Sequence, residues 1–142
     1  MILHSSGEDY LKAILILQKE KGAVRSVDVS EYMGVSKPSV SHAMKTLRDG
    51  DFLYMDDDRY LHLTDAGRVI AENLYERYQY FAKHLASAGV DSTSAKEEAC
   101  KMEHTLSHES FQLLKAQKQN PCPFANSCQF VTERKRSAKE DN

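Results

Sequence analysis

Cys100, Glu103 and His104 place a thiol, a carboxylate and an imidazole at Cys-x-x-Glu-His spacing, within Glu98-Ala99-Cys100-Lys101-Met102-Glu103-His104. On a helix, positions i, i+3 and i+4 share a face, so the three groups can converge on one point. Each of them, once deprotonated, donates an electron pair to a divalent transition metal. Three side chains leave the usual coordination shell incomplete. The spacing therefore asks for a further ligand from elsewhere in the chain.

The elements that must position these groups belong to a chain of 142 residues, enough for one or two small domains with a buried core. Its formal net charge of −2 excludes an overall basic nucleic-acid binder, so any DNA contact has to come from a local patch. No run approaches the ~20 apolar residues of a membrane span, and no membrane partner is expected. The start, Met-Ile-Leu-His-Ser-Ser-Gly-Glu-Asp-Tyr, lacks the basic and apolar regions of a secretory signal. Three cysteines in such a chain read as cytoplasmic thiols and not as a disulfide framework.

Taken in order, Ser5 with Glu8 three residues on fits a capping box, and Leu11, Ile14, Leu15 and Leu17 carry a helical period to about residue 18. Asp9, near the start of this helix, complements its positive end. Arg25-Ser26 leads into a short helix to about Met33, Gly34-Val35 breaks it, and Ser36 caps another helix with Pro38 in its first turn. Helix, turn with glycine, helix is the helix-turn-helix arrangement, whose second helix reads DNA.

The local patch lies there. Residues 36–48 contain Lys37, Lys45 and Arg48 and no acid. Val40, Ala43, Met44 and Leu47 give an inward face, while Lys37, Ser39, Ser41, His42 and Lys45 offer donors for phosphates and base edges. Two strand-like runs, 51–55 and 60–63, flank the turn Asp56-Asp57-Asp58-Arg59 and predict a β-hairpin wing. Its aspartates would be repelled by phosphates, which leaves Arg59 as the wing contact.

Thr64-Asp65 caps a long helix to about Ser87, with a seam of Val69, Ile70, Leu74, Tyr78, Phe81 and Leu85 that suits core or a subunit interface. Ser94 with Glu97 predicts a second capping box ahead of the metal-ligating stretch. A last helix, about 108–118, turns Phe111, Leu113 and Leu114 inward. This small helical region could scarcely bury enough surface alone, which points to dimerisation through it. Cys122 and Cys128 then stand in Pro-Cys-Pro-Phe-Ala-Asn-Ser-Cys, spaced more widely than a zinc knuckle or redox pair. They suit a second metal or cluster site, a reversible disulfide, or two thiols on a tail.

The fold expected is mainly α: an N-terminal winged helix-turn-helix domain with a small β-hairpin wing over 1–70, an all-helical metal-binding and dimerisation domain over 71–118, and a polar, Cys-containing tail over 119–142. Several motifs resemble the diphtheria toxin repressor family of metal-dependent regulators, including the manganese transport regulators. Gly7-Glu8-Asp9-Tyr10-Leu11 looks like its N-terminal ligand segment, and Ser36-Lys37-Pro38-Ser39-Val40-Ser41 like the start of its recognition helix. Leu63-Thr64-Asp65-Ala66-Gly67-Arg68 is similar to its wing-to-linker junction, and Glu98–His104 to its primary metal motif.

The resemblance implies a homodimeric repressor that binds double-stranded operator DNA when a metal is held by Asp9, Cys100, Glu103 and His104. It implies DNA contacts from Arg25, Ser36, Lys37, Pro38, Ser39, Ser41, His42, Lys45 and Arg59. Where manganese regulators carry further ligands for a second ion, this chain has Lys12 and Tyr78, a cation and a poor neutral ligand. The chain stops before the extra C-terminal domain of the iron branch, yet Cys100 resembles that branch, and a thiolate favours Fe²⁺ over Mn²⁺. The competing expectation is a thiol-based redox-sensing winged-helix regulator switched by Cys122 and Cys128. No general base or nucleophile motif stands beside the ligands, so no enzyme is expected.

Overall fold

The computed structural model describes residues 3–117, so Cys122 and Cys128 lie outside the described residues. These fall into two units, one up to His108 and one from Glu109 onward. The first holds α1 (Ser5–Lys21), α2 (Ser26–Met33), α3 (Lys37–Asp49), β1 (Leu53–Met55), β2 (Leu61–Leu63), α4 (Asp65–Ser87) and α5 (Ser92–Met102). The expected fold class is the one found. α6 (His108–Lys115) lies almost wholly in the second unit, where Phe111 is buried under the Lys115 ammonium, 5.4 Å from the ring centre.

The core follows the apolar periods. Leu11, Ile14, Leu15 and Leu17 of α1 meet Val29 of α2, Val40, Met44 and Leu47 of α3, and Leu53, Leu61 and Leu63 of the hairpin. Burial of each such side chain contributes about 1.5–3 kcal/mol. Between α2 and α3, Gly34 takes the left-handed conformation at φ +66°, and the N–H groups of Gly34 and Val35 both donate to the Ser30 carbonyl. The Ser30 hydroxyl donates to the Val35 carbonyl at 2.7 Å and closes the same turn. Ser36 then caps α3, accepting from the Ser39 N–H as its type predicts.

β1 and β2 pair antiparallel with Leu53 opposite Leu63, and the Leu61 N–H donates to the Val24 carbonyl, which ties the hairpin to the segment ahead of α2. Asp56 is the organiser of the wing turn: one carboxylate oxygen accepts from the Asp58 and Tyr60 N–H groups, and the other meets His62 Nε2 at 2.7 Å. Those bonds, with the His62 bond strongest, hold its carboxyl below the usual range. At the junction with α4, Thr64 caps the helix through Gly67 N–H and donates its hydroxyl to the Asp51 carbonyl.

Several expectations differ from what is found. Ser5 lies inside α1, whose N-cap is His4 without a side-chain bond, so no Ser5–Glu8 capping box forms. Asp91, and not Ser94, caps α5, because its carboxylate reaches the Ser94 N–H at 3.0 Å. Val69 and Leu113 are exposed, at 57% and 67%, since each stands off the buried stripe of its helix. No helix among the described residues is long and apolar enough to cross a membrane.

Candidate metal centre and nucleic-acid interface

Glu8, Asp9 and Lys12 all meet the far end of α5, because Glu8 and Lys12 are one turn apart on α1 and Asp9 is three residues before Lys12. α5 ends at Met102. Glu103 is its C-cap, its N–H donating to the Ala99 carbonyl, and His104 follows in the turn beyond. Arg77 of α4 fixes that turn, its Nη1 donating to the carbonyls of Glu103 at 3.1 Å and Leu106 at 2.8 Å.

Ligand atoms of Asp9, Glu103 and His104 all lie within 4.8 Å of one another. His104 Nε2 is 2.8 Å from Asp9 Oδ1 and 3.4 Å from Glu103 Oε1, while Nδ1 is 2.8 Å from Glu8 Oε2. Two ring nitrogens facing two carboxylates are both satisfied only when both donate, an arrangement that favours the protonated ring. Burial, the largest single influence, favours the neutral ring, but Glu8 and Asp9 together outweigh it and raise the His104 pKa above its ordinary 6.5. Cys100 stands outside this group, its sulfur 3.6 Å from Lys12 Nζ.

Lys12 is the unexpected member. It is buried, as is Glu103, and its ammonium sits 2.7 Å from Glu103 Oε1 and 4.7 Å from the centre of the Tyr78 ring. Burial pulls the Lys12 pKa down, but the bond and charge of Glu103, aided by Cys100 and Asp9, carry it above the usual lysine value. Glu103 is raised as well, burial outweighing the stabilisation by Lys12. Burial likewise pushes the Cys100 thiol up, with Lys12 offsetting only part.

Glu103 Oε2 is buried without a hydrogen-bond partner. A carboxylate with an orphaned oxygen, grouped with an aspartate and an imidazole, is what a cation would satisfy, so oxygen and nitrogen donors at this spacing fit a divalent transition metal. Sequence reasoning missed the role of Glu8, which read as the capping-box partner of Ser5, and the burial of Lys12. The signal for Lys12 was its place within the apolar run 11–17 of α1.

All nine residues expected to touch DNA are exposed. Lys37, Pro38, Ser39, Ser41, His42 and Lys45 lie on α3, and Ser36 is its cap, donating its hydroxyl to Ser39 Oγ at 2.8 Å. Arg25 precedes α2 and stacks its guanidinium over Tyr60, 4.5 Å from the ring centre. Arg59 holds a left-handed φ of +66° in the wing turn.

Residues 2–63 match the iron dependent repressor N-terminal DNA binding domain, and residues 64–123 match the iron dependent repressor metal binding and dimerisation domain. The transcriptional regulator MntR of Salmonella typhimurium is 35% identical over 103 residues, which cover 72% of this chain and 66% of that protein. The chain thus spans just under two thirds of that curated relative. The structure of the manganese regulator SloR is 30% identical with a TM-score of 0.66, over 84% of this chain and 57% of that one. A manganese-dependent transcriptional repressor in complex with manganese is 26% identical with a TM-score of 0.67, over 78% of this chain and 51% of that one. None of these likenesses points to a thiol-based redox regulator.

Proposed function

Because the chain belongs to the family of metal-dependent repressors that includes the diphtheria toxin repressor and the manganese transport regulators, we propose that metal binding controls its affinity for operator DNA. Residues 1–70 would read the duplex, and residues 71–118 would hold the metal and a second copy of the chain. The observation that carries this reading is the approach of Asp9, on α1, to Glu103 and His104, at the end of α5, within 4.8 Å.

Asp9, Glu103 and His104 would hold the ion, with Cys100 next to them. When bound, it supplies a positive link between α1 and the end of α5. α1 also packs into the core shared with α3, so fixing α1 fixes the recognition helix. In a dimer, recognition helices set about one DNA turn apart (~34 Å) enter successive major grooves, and a fixed pose becomes affinity.

The preference for Fe²⁺ over Mn²⁺ rested on a Cys100 thiolate in the ligand set. With Lys12 against that sulfur, the remaining oxygen and nitrogen donors are of the hard kind that Mn²⁺ also takes. Repression of iron or manganese homeostasis genes in the cytoplasm is the physiological role this reading gives.

A duplex selected from random DNA by the Mn²⁺-loaded protein tests the proposal. Its binding, followed by fluorescence anisotropy, is lost with chelator and restored by Mn²⁺ or Fe²⁺; equal binding after complete demetallation overturns the reading. On that duplex, Lys45→Ala weakens binding and lowers the steepness of log K against log salt by about 1, as loss of one phosphate contact requires. An unchanged salt slope removes Lys45 from the interface.

The pH dependence has a definite sign. A His104 pKa raised in the folded chain adds stability that is complete below 6.5 and fades as pH climbs through the folded value. Metal needs the neutral ring, so its binding displaces the proton and strengthens over that same window. Mn²⁺ affinity measured by competition with a chelating dye is expected to rise with pH until the raised His104 value is passed and then to level off, and in Glu8→Ala the levelling to begin at lower pH. A flat profile in the unaltered chain contradicts the assignment of His104 as ligand.

A further inference from the structure

Lys12 is a buried cation that no account of metal-activated DNA binding uses. Its Nζ lies 2.7 Å from Glu103 Oε1 and 3.6 Å from Cys100 Sγ, and the Tyr78 ring covers it at 4.7 Å. Cys100 and Glu103 are i and i+3 at the end of α5, so their side chains reach the same space, and the ammonium fills the part of it nearest the sulfur. An ammonium has three donors and no lone pair, so it can occupy a ligand's acceptor but never complete a metal's shell.

We infer that Lys12 is the residue that sets metal specificity: it holds Cys100 away from the ion. The ligand set then consists of Asp9, His104 and Glu103. Glu103 Oε2 is buried and without a hydrogen-bond partner, so this carboxylate keeps acceptor capacity that the ammonium does not use. Removal of the ammonium frees the sulfur. The set changes from hard oxygen and nitrogen donors to one containing a soft thiolate, which shifts preference from Mn²⁺ towards Co²⁺ and Zn²⁺. On binding, the Cys100 thiol would give its proton to solvent and its sulfur pair to the metal.

This inference rests on the metal-site reading above, and Co²⁺ tells the two apart. The experiment uses the full chain with Cys122→Ser and Cys128→Ser, so that Cys100 is the only sulfur nucleophile left. Titrated with Co²⁺, this protein is expected to bind without the intense near-ultraviolet sulfur-to-cobalt charge-transfer band. Lys12→Met in the same background gains the band, loses it again with Cys100→Ser, and raises Zn²⁺ affinity relative to Mn²⁺ about tenfold or more.

Lys12→Gln, which keeps a donor for Glu103, replaces Lys12→Met if the latter does not fold. A charge-transfer band in the protein that retains Lys12 overturns the inference, because Cys100 then ligates beside the ammonium. So does a folded Lys12 variant that binds Co²⁺ with no band. Failure of the Lys12-containing protein to bind Mn²⁺ or Co²⁺ at all overturns the metal-site reading instead.

Discussion

His104→Ala protein is expected to bind Mn²⁺ about a hundredfold or more weakly and to lose metal-activated DNA binding. Even groups that merely orient a ligand are worth about 10–100-fold in metal affinity, and His104 is the only nitrogen donor of the cluster. The loss has a second source. His104 spans Glu8 and Asp9 on α1, so removing the ring also removes two of the bonds that tie that helix to the turn after α5. Isothermal titration with Mn²⁺ reads the first effect, and anisotropy on the selected duplex reads the second. His104→Ala protein with native-like circular dichroism and unaltered Mn²⁺ affinity would show that the ion, if it binds, binds elsewhere.

The electrostatics explain why this residue outweighs its neighbours. Asp9 and Glu8 bring two carboxylates to one imidazole ring, while Glu103 is already answered by Lys12 on one oxygen. A metal held here by Asp9, Glu103 and His104 would supply a larger positive charge in place of the ring proton. Breaking a buried pair by deleting one partner costs about 3–5 kcal/mol. Alanine at Glu103 would therefore leave a buried ammonium and perturb folding and binding together, whereas His104, partly exposed, separates them more cleanly.

Gly67→Ala carries the largest expected effect on stability. A Cβ at Gly67 would lie 1.9 Å from the Phe52 carbonyl oxygen and 2.9 Å from its carbon. That carbonyl already accepts the Thr64 N–H at 3.1 Å, and Thr64 bonds the neighbouring Asp51 carbonyl through its hydroxyl. The obstacle is backbone held at two points, so the junction between wing and α4 must open. Overpacking of side chains costs about 1–3 kcal/mol, and a backbone clash should reach the top of that range or exceed it. Thermal unfolding of the variant is expected about 10 °C lower for a loss of that size. A Tm within 2–3 °C of the unaltered chain, roughly what 1 kcal/mol gives, would mean that the junction is looser than its hydrogen bonds indicate.

How far the chain could be understood from its letters differs between fold and site. The recognition helix was legible because its signals are local: Ser36 as cap, Pro38 in the first turn, and Val40, Met44 and Leu47 one and two turns apart. The hairpin was legible for the same reason, two apolar runs around an acidic turn. Thr64 capping α4 is another short-range signal. The two capping boxes were less so. Ser5 and Ser94 each have an acid three residues on, but Glu8 found His104 and α5 began earlier, at Asp91, where a carboxylate was already available.

The sequence by itself determined which residues share a helix and which lie at metal-ligand spacing, because hydrogen-bond caps, 3.6-residue periodicity and i, i+3, i+4 neighbours are all settled within a turn or two of chain. Only tertiary structure decided that Glu8 would hold the far side of the His104 ring and that Lys12 would be buried against Glu103 and Cys100, near Tyr78. Those partners lie about ninety residues apart in the chain, apart from Tyr78 on α4. A lysine among apolar residues carries no mark of the carboxylate it will meet. Packing of α1 and of α5 against α4 takes both charges out of water, and pairing them is what makes that burial tolerable.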